Sequence, residues 1–360
     1  MMIKIAERLR PFSHQSGTLC LIPMSSFAVQ VFPCLIRLFR WDLPTPQLVN
    51  EYHIFLKGPV EDFTIQTDLE KGKILVWGKT ALGPIRYIIT STSTGISLML
   101  DRSSEQGIVF KNQNEEQYVL KGKSIYLIKL MQRLEHPSLE RLSLGNHKRQ
   151  DWDLIKRRLD LTEIFPIWYS LGQWIPNSLG INNALEEIGC HFRKIEEIIS
   201  QNQSDQAVPI WKQIFQATFQ GILVPFWEDE FFQGIIDQTI SPVCSPLALL
   251  KKGMHLMQRH FIQQKFNHIY LLPVLPPEFH CGRLLSIKLA EQGLLNMEWT
   301  KKVIRQASFY SAQQQDLYLH FRQVKKCRIK KQGQKATEWI TSGECFNFEK
   351  NCYYIFDNFK

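Results

Sequence analysis

Hydrophobic and polar positions alternate along the first part of the chain. Phe63, Ile65 and Thr67 alternate with more polar neighbours, and a turn at 70–73 separates them from a second run at 74–77. This period of two residues on either side of a turn predicts a β-hairpin. Similar runs occur at 27–31, 85–90, 96–100 and 124–130, with turn residues about every ten positions, as is typical of a β-sandwich. We therefore predict an N-terminal β-sandwich domain over residues 1–135.

The spacing of apolar residues changes near residue 151. Helical spacing predicts one helix at 183–199, whose apolar face would contain Leu185, Ile188, Phe192, Ile195 and Ile199. Further helices are predicted at 208–222 and 246–264, and an amphipathic run begins at Asp151. Thr162 stands where the N-cap of another helix would be, directly before Glu163. These patterns predict a helical domain over residues 136–265.

Strand patterns return after this helical stretch. Apolar runs at 269–272, 284–289, 294–299, 303–310 and 316–321 predict strands, and 353–356 is expected to close the sheet. We predict a C-terminal β-sandwich domain over residues 266–360. The predicted fold class is therefore α+β and multidomain, with a reduced helical domain of the α/α type between two β-sandwiches.

Composition and charge place the chain among ordinary globular proteins. Hydrophobic residues make up 44% and charged residues 21%, so disorder is not expected. The net charge of +9 raises the question of nucleic-acid binding. However, only one short segment has closely spaced basic residues, namely Lys325, Lys326, Arg328, Lys330 and Lys331. Basic residues that alternate with other residues in this way are typical of a solvated edge strand of a sheet. We do not expect a nucleic-acid partner.

The eight cysteines have no CxxC pair and no spacing typical of a zinc site. In a chain of this size they predict free thiols in a reducing compartment, so the expected location is the cytoplasm. The apolar stretch at 19–39 is interrupted by Pro23, Gln30, Pro33 and Arg37, so it predicts strands and no membrane segment. The usual nucleotide, zinc-protease and serine-hydrolase motifs do not occur in the sequence, and we expect no cofactor and no metal.

The most distinctive segment is IYLLPVLPPEF at 269–279, followed by Gly282 and by a second run, LLNMEW, at 294–299. This segment resembles the junction between helices and sandwich in α-L-fucosidase-like glycosidases with an (α/α)6 barrel, where the family reads IHLLPALP..W..G. Asp68, Leu69, Gly72 and Val76 fit, more loosely, a DL..G...V pattern of the same family's N-terminal sandwich. The resemblance implies a carbohydrate partner, and it covers mainly residues 265–310.

Two departures from that family bear on activity. An (α/α)6 barrel needs about twelve helices, and residues 151–264 can supply about half of them. The family's DGNFG segment contributes an active-site Asp, whereas the matching stretch here, SPVCSP at 241–246, has no carboxylate. The resemblance therefore transfers no catalytic residue, and it leaves open whether the chain is an active glycosidase.

A loop at about 225–246 carries the strongest candidates for chemistry. Glycoside hydrolysis needs two carboxyl groups, one of them a proton donor. Glu228, Asp229 and Glu230 are the candidate catalytic acids, and Trp227, Gln233 and Asp237 are candidates for substrate binding. The simpler interpretation is an exposed acidic loop between packed aromatic residues, since three adjacent acids cannot all face one pocket.

A second candidate site lies at the start of the helical stretch. His147 together with Asp151 or Asp153 would suit a polar ligand or acid–base chemistry. The alternative is helix capping, because acidic residues favour the positive end of a helix dipole. Trp152, Trp168 and Trp174 are predicted to belong to the core.

These patterns support two functional hypotheses. In the first, the chain is a glycoside-hydrolase-like protein that acts on or binds a carbohydrate; if it is active, it hydrolyses a glycosidic bond with Glu228, Asp229 or Glu230 as the proton donor. In the second, it is a non-catalytic protein that binds a glycan or another protein, or has a structural role.

Overall fold

The computed structural model describes residues 3–43, 46–103, 107–113, 115–131, 140–176, 190–218, 245–289 and 293–360. Strands take up 47% of these residues and helices 20%, so the protein is mostly β, with several sheets stacked in a sandwich-like arrangement. This confirms the coarse part of the predicted fold class. The predicted domain boundaries near 135 and 265 stay a prediction.

Two six-stranded antiparallel sheets form the N-terminal part. The first contains, in spatial order, β1 (Phe12–Ser13), β6 (Glu61–Asp68), β7 (Lys73–Thr80), β8 (Gly83–Thr92), β9 (Gly95–Arg102) and β12 (Ser124–Lys129). The second contains β11 (Glu116–Leu120), β10 (Gly107–Lys111), β5 (Gln47–Phe55), β4 (Leu35–Arg40), β3 (Phe27–Phe32) and β2 (Thr18–Leu21). The predicted hairpin is confirmed as β6 and β7, with Thr67 opposite Ile74.

Alternation along the strands gives this sandwich its core. Val29 and Ile36 of the second sheet belong to the same buried cluster as Ile74, Val76 and Ile89 of the first. Their polar neighbours face outward, as the period of two residues requires. The outer face of the first sheet is therefore free to carry polar and half-buried aromatic side chains.

The helical part contains five α-helices among the described residues. These are α1 (Trp152–Arg158), α2 (Leu161–Gln173), α3 (Cys190–Ser200), α4 (Ala207–Thr218) and α5 (Pro246–Phe261), with a short 3-10 helix at Ser204–Gln206. Asp151 is the N-cap of α1, since its carboxylate accepts from the Asp153 N–H. The predicted N-cap Thr162 is wrong by two residues. Asp160 caps α2, because its carboxylate accepts from the Thr162 N–H at 3.0 Å.

The last helix ends earlier than the sequence pattern indicates. The prediction carried it to 264, but α5 ends at Phe261 and β14 (Ile262–Lys265) follows directly. This segment pairs antiparallel with β15 (His268–Leu271), so that Ile262 lies opposite Leu271. Backbone pairing with β15 satisfies the N–H and C=O groups that a further helical turn would otherwise satisfy, and this tertiary contact outweighs helix propensity.

Two further sheets form the C-terminal part. A seven-stranded sheet contains β13 (Arg141–Ser143), β16 (Cys281–Leu289), β17 (Gly293–Thr300), β18 (Val303–Ser311), β23 (Cys352–Asp357), β20 (Lys326–Lys331) and β21 (Glu338–Thr341). A four-stranded sheet contains β14, β15, β19 (Gln315–Phe321) and β22 (Cys345–Phe348). The predicted strands from 269 onward are confirmed.

The basic segment at 325–331 corrects one expectation. It is not a sheet edge, because β20 pairs with β23 on one side and with β21 on the other. Two of its basic side chains contact neighbouring strands. Arg328 makes two hydrogen bonds to Asp357, and the Lys326 amine lies 5.1 Å from the centre of the Trp339 ring. Cys327 and Ile329, on the other face, are buried.

A large hydrophobic cluster joins strands of the N-terminal part, the helices and both C-terminal sheets. Trp152 and Trp168 belong to it, as predicted, and Trp174 is half-buried against it. Near its centre Trp211 donates its indole N–H to Nε2 of His260 at 2.8 Å. None of the described helices is long and apolar enough to cross a membrane.

The segment at 272–282 packs against Trp299. Trp299 is fully buried and donates from Nε1 to the Phe279 carbonyl at 3.1 Å. Its ring also covers Gly282, where a Cβ atom would lie only 2.2 Å from the indole. A glycine followed by a tryptophan at this spacing therefore has a packing reason here.

Candidate functional site

A groove of about 750 Å³ opens on the first N-terminal sheet, where that sheet meets the chain entering α1. It is lined by three aromatic residues and five polar or charged residues, namely Phe12, Phe63, Trp77, His14, Asp62, Thr64, Gln66 and Arg149. A volume of this size is within the range of small-molecule sites. We name this set of residues the β1 groove.

Strand register places the side chains that line the groove. Thr64 of β6 lies directly opposite Trp77 of β7, and Phe12 of β1 lies opposite Gln66. Residues directly opposite each other on neighbouring strands project from the same face of a sheet. Thr64 and Gln66 are two positions apart on β6, so the two pairs also share a face. Ile65 and Val76, their neighbours along the strands, are buried in the sandwich core. Thr64, Gln66, Trp77 and Phe12 therefore occupy the outer face, whereas the Phe63 side chain packs against the sandwich core.

The second wall comes from the segment just before α1. The Phe12 N–H donates to the Gln150 carbonyl at 3.0 Å, and a parallel bridge joins Phe12 to Asp151. The Gln150 side chain extends this contact, because its Oε1 accepts from the Arg10 N–H at 2.6 Å. These bonds hold Arg149 beside β1, although 137 positions separate it from Phe12 in the chain (149 − 12).

A chain of hydrogen bonds orients the polar groups of the groove. Thr64 donates its hydroxyl proton to the Asp62 carbonyl at 3.2 Å, so its oxygen is an acceptor for Nδ1 of His14 at 2.9 Å. His14 then carries its proton on Nδ1, which leaves Nε2 as an acceptor facing Nη2 of Arg149 at 3.5 Å. The Arg149 guanidinium also lies 4.8 Å from the centre of the Phe12 ring. The β1 groove thus has a fixed arrangement of donors and acceptors.

Asp62 is the one carboxylate among the residues that line the groove. It pairs with Lys79 at 2.6 Å, and both side chains are about two-thirds exposed. The hydrogen bond and charge of Lys79 lower the pKa of the Asp62 carboxyl, and the pKa of Lys79 is raised in turn. Asp62 is therefore ionised at neutral pH. It can accept hydrogen bonds from a ligand but is unsuited to donate a proton to a leaving group.

The predicted pair of His147 with Asp151 or Asp153 is not brought together. Asp151 caps α1, and Asp153 accepts from the Gln15 side chain at 2.8 Å. His147 is exposed and lies near Glu7. Burial raises the pKa of the Glu7 carboxyl, and the nearby His147 acts against this rise. Within the described part of the chain, His147 has no hydrogen bond or ion pair to either aspartate. Capping accounts for Asp151.

Two other carboxylates, those of Asp160 and Glu163, lie near the start of α2, but both already form ion pairs. Glu163 is only 6% exposed and forms two-pronged hydrogen bonds with Arg158, while Lys148 lies 3.1 Å from both Glu163 and Asp160. Burial would raise the pKa of the Asp160 carboxyl, but hydrogen bonds from Thr162 and from Lys148 outweigh it and the pKa is lowered. This cluster fixes the start of α2. It leaves neither acid free for catalysis.

The remaining predicted site residues lie outside the described residues. These are the candidate acids Glu228, Asp229 and Glu230 and the candidate substrate contacts Trp227, Gln233 and Asp237. Among the residues that the structure does describe, no three His, Cys, Asp or Glu side chains come close enough to hold a metal ion. Six cysteines have described side chains, and all six are free thiols.

The sequence patterns did not single out the β1 groove. His14, Asp62 and Arg149 are far apart in the chain, and only strand pairing brings them together. One signal was available in the predicted hairpin, where alternation puts the buried Ile74 and Val76 on one face. Trp77 must then lie on the opposite face with Leu75, and a half-buried tryptophan on an outward face is a candidate ligand contact.

Comparison with known protein families finds no family model that matches the chain, and comparison with curated proteins finds no match.

Proposed function

We propose that the protein is a carbohydrate-binding protein and that the β1 groove is its binding site. The observation that carries this proposal is the placement of Trp77 and Phe12 beside Asp62, Gln66 and His14 in one open groove. One face of a pyranose ring consists of C–H groups, which pack well against an aromatic ring. Its hydroxyl groups need partners that both donate and accept, and carboxylate, amide and imidazole side chains supply them.

Binding is better supported than hydrolysis at this groove. Hydrolysis needs a proton donor and a second carboxylate on opposite sides of the scissile bond. Of the residues that line the groove only Asp62 is acidic, and Lys79 keeps it ionised. The nearby Asp160 and Glu163 are held by Lys148, Thr162 and Arg158. We infer that the β1 groove holds a sugar without cleaving it.

The resemblance to α-L-fucosidase-like glycosidases agrees with this proposal. Two strand-rich parts flank the helices, and the C-terminal strands form sheets separate from the N-terminal pair. This arrangement supports a layout of sandwich, reduced helical domain and sandwich, with boundaries near 135 and 265. We propose that the chain descends from such an enzyme and has kept sugar binding on its first sandwich. A protein partner remains the alternative to a glycan.

The test is a binding experiment with two matched tryptophan variants. Purified protein is titrated with neutral and acidic oligosaccharides in a calorimeter. Trp77→Ala removes the proposed stacking surface. Trp339→Ala is the control, because Trp339 is 47% exposed on β21 and lies outside the groove. We expect Trp77→Ala to weaken binding about tenfold or more, which corresponds to ~1.4 kcal/mol, and Trp339→Ala to bind like the wild type.

Two results would contradict the proposal. One is that the wild-type protein binds no oligosaccharide at millimolar concentration. The other is that Trp77→Ala, with an unchanged melting temperature, binds as tightly as the wild type. Product analysis with the same oligosaccharides tests the catalytic hypothesis separately. If turnover is found, and Glu228→Gln, Asp229→Asn and Glu230→Gln each retain it in full, those acids are not the proton donor.

A further inference from the structure

Arg149 differs from the other charged groups around the β1 groove, because no carboxylate among the described residues pairs with it. Within the described residues it forms no ion pair, and its two contacts are the Phe12 ring and Nε2 of His14, at 4.8 and 3.5 Å. The neighbouring cations are already paired: Lys148 lies 3.1 Å from Asp160 and from Glu163, and Arg158 binds Glu163 with two nitrogens. Arg149 is thus a cation with most of its five donors unused.

The groove holds this guanidinium in place before any ligand arrives. A cation over the face of an aromatic ring is attracted by the ring's electrons, and Phe12 provides such a face. His14 is itself fixed through Thr64, so the acceptor offered to Arg149 has a defined position. A guanidinium that is already ordered loses less side-chain entropy when it binds, which favours a two-pronged contact with a planar anion.

The local charge selects the sign of the ligand. Asp62 is the only acid among the lining residues, and its charge is balanced by Lys79 at 2.6 Å. Arg149 is the one cation among the lining residues, and within the described residues it has no ion pair, so its guanidinium is the charged group that a ligand can pair with. A carboxylate matches the guanidinium in geometry and charge, and hydrogen bonds of this charge-assisted kind are about twice as strong as neutral ones.

From these contacts we infer that the ligand of the β1 groove is an acidic carbohydrate, a sugar carrying a carboxylate such as a uronic acid, and that Arg149 binds this carboxylate. The inference rests on the proposed sugar-binding function. It adds the class of sugar and the residue that recognises it.

The experiment compares matched sugars that differ only in the carboxylate. The probes are oligogalacturonate and oligoglucuronate trimers and the neutral trimers obtained by reducing their carboxyl groups to alcohols. Calorimetry is done with the wild type, Arg149→Gln, Trp77→Ala and the control Arg157→Gln. Arg157 is an exposed arginine of α1 whose side chain donates to the Asp153 carbonyl at 3.3 Å and does not line the groove.

We expect the wild type to bind at least one acidic trimer about tenfold tighter than its reduced form, with a preference that falls as NaCl is added. Arg149→Gln should abolish this preference, whereas Arg157→Gln should retain it. Trp77→Ala should weaken the acidic and the neutral trimer alike. Arg149→Lys should recover part of the preference, because it restores the charge but not the planar fork.

The outcomes separate this inference from the proposed function. If acidic and reduced trimers bind equally to the wild type, and Trp77→Ala weakens both, the groove binds sugars but Arg149 does not select an acid. If Arg149→Gln keeps the full preference for the acidic trimer, the carboxylate is bound elsewhere and the inference is wrong. If the wild type binds none of the four trimers but binds another oligosaccharide, the inference is wrong and the proposed function stands; if it binds no oligosaccharide at all, both are contradicted.

Discussion

Protonation of the buried His260 is expected to destabilise the fold in mild acid. His260 is fully buried, and both of its ring nitrogens are satisfied only when the ring is neutral. Its Nε2 accepts from the Trp211 indole at 2.8 Å, so the proton lies on Nδ1, which donates to the Val274 carbonyl at 2.9 Å. A second proton on Nε2 would face the Trp211 N–H, which cannot accept it.

The size of the effect follows from the pKa of this imidazole. Burial lowers the pKa of His260 from its ordinary 6.5 to about 4, although the bond to Val274 acts in the opposite direction. Between these values the unfolded chain binds the proton and the folded protein does not. The stabilisation is therefore fully present above pH 6.5 and is lost as the pH falls toward 4. The loss is about 2 kcal/mol at pH 5 and about 3 kcal/mol near pH 4.

The assay is urea unfolding at pH 8 and pH 5 for the wild type and for His260→Gln. Other groups also titrate in this range, but they are present in both proteins, so the difference between the two free energies of unfolding isolates His260. We expect the advantage of the wild type to shrink by about 2 kcal/mol at pH 5. An advantage that stays constant between the two pH values would refute the reasoning. So would an NMR titration of the wild-type ring with a pKa near 6.5, a measurement that needs no folded variant.

Three further predictions concern stability and thiol chemistry. Arg158→Met should lower the free energy of unfolding by about 2 kcal/mol, because among the described residues it leaves the buried Glu163 with Lys148 as its one cationic partner. Urea unfolding measures this loss, and a value below about 0.5 kcal/mol would contradict the prediction. Gly282→Ala should lower the free energy of unfolding by about 1–3 kcal/mol, since the new methyl group would lie 2.2 Å from the Trp299 ring. A melting temperature equal to that of the wild type would show that Trp299 packs less tightly against Gly282 than described. Iodoacetamide labelling followed by peptide mass mapping should modify the exposed Cys34, Cys281 and Cys345 first. The buried Cys20 and Cys327, whose thiol pKa burial raises to about 12, should react last, and early labelling of either would contradict the described core.

Local patterns in the sequence were sufficient for most strands and for the approximate helices. The β6–β7 hairpin and the strands after 269 were predictable because an outward and an inward face alternate along them. The errors occur where long-range pairing decides the structure. Ile262–Lys265 continues the helical pattern of α5, but it becomes a strand because β15 pairs with it. The basic strand β20 has the composition of an edge, yet the distant segments Glu338–Thr341 and Cys352–Asp357 enclose it.

The candidate site was less accessible to sequence reasoning than the fold. Adjacent residues drew attention to His147 and the following aspartates, but one of these caps a helix. The residue two positions after His147, Arg149, lines the groove, and nothing in its immediate neighbourhood distinguishes it from Lys148. The difference arises from tertiary contacts, since Lys148 meets Asp160 and Glu163 whereas Arg149 meets Phe12 and His14.

A crystal structure of the protein soaked with an acidic trisaccharide would test the central claim most directly. We predict a sugar ring against the face of Trp77, with a carboxylate within hydrogen-bond distance of the Arg149 guanidinium and a hydroxyl near Asp62. Electron density for the trisaccharide at any other place on the protein, with the β1 groove empty, would contradict the account.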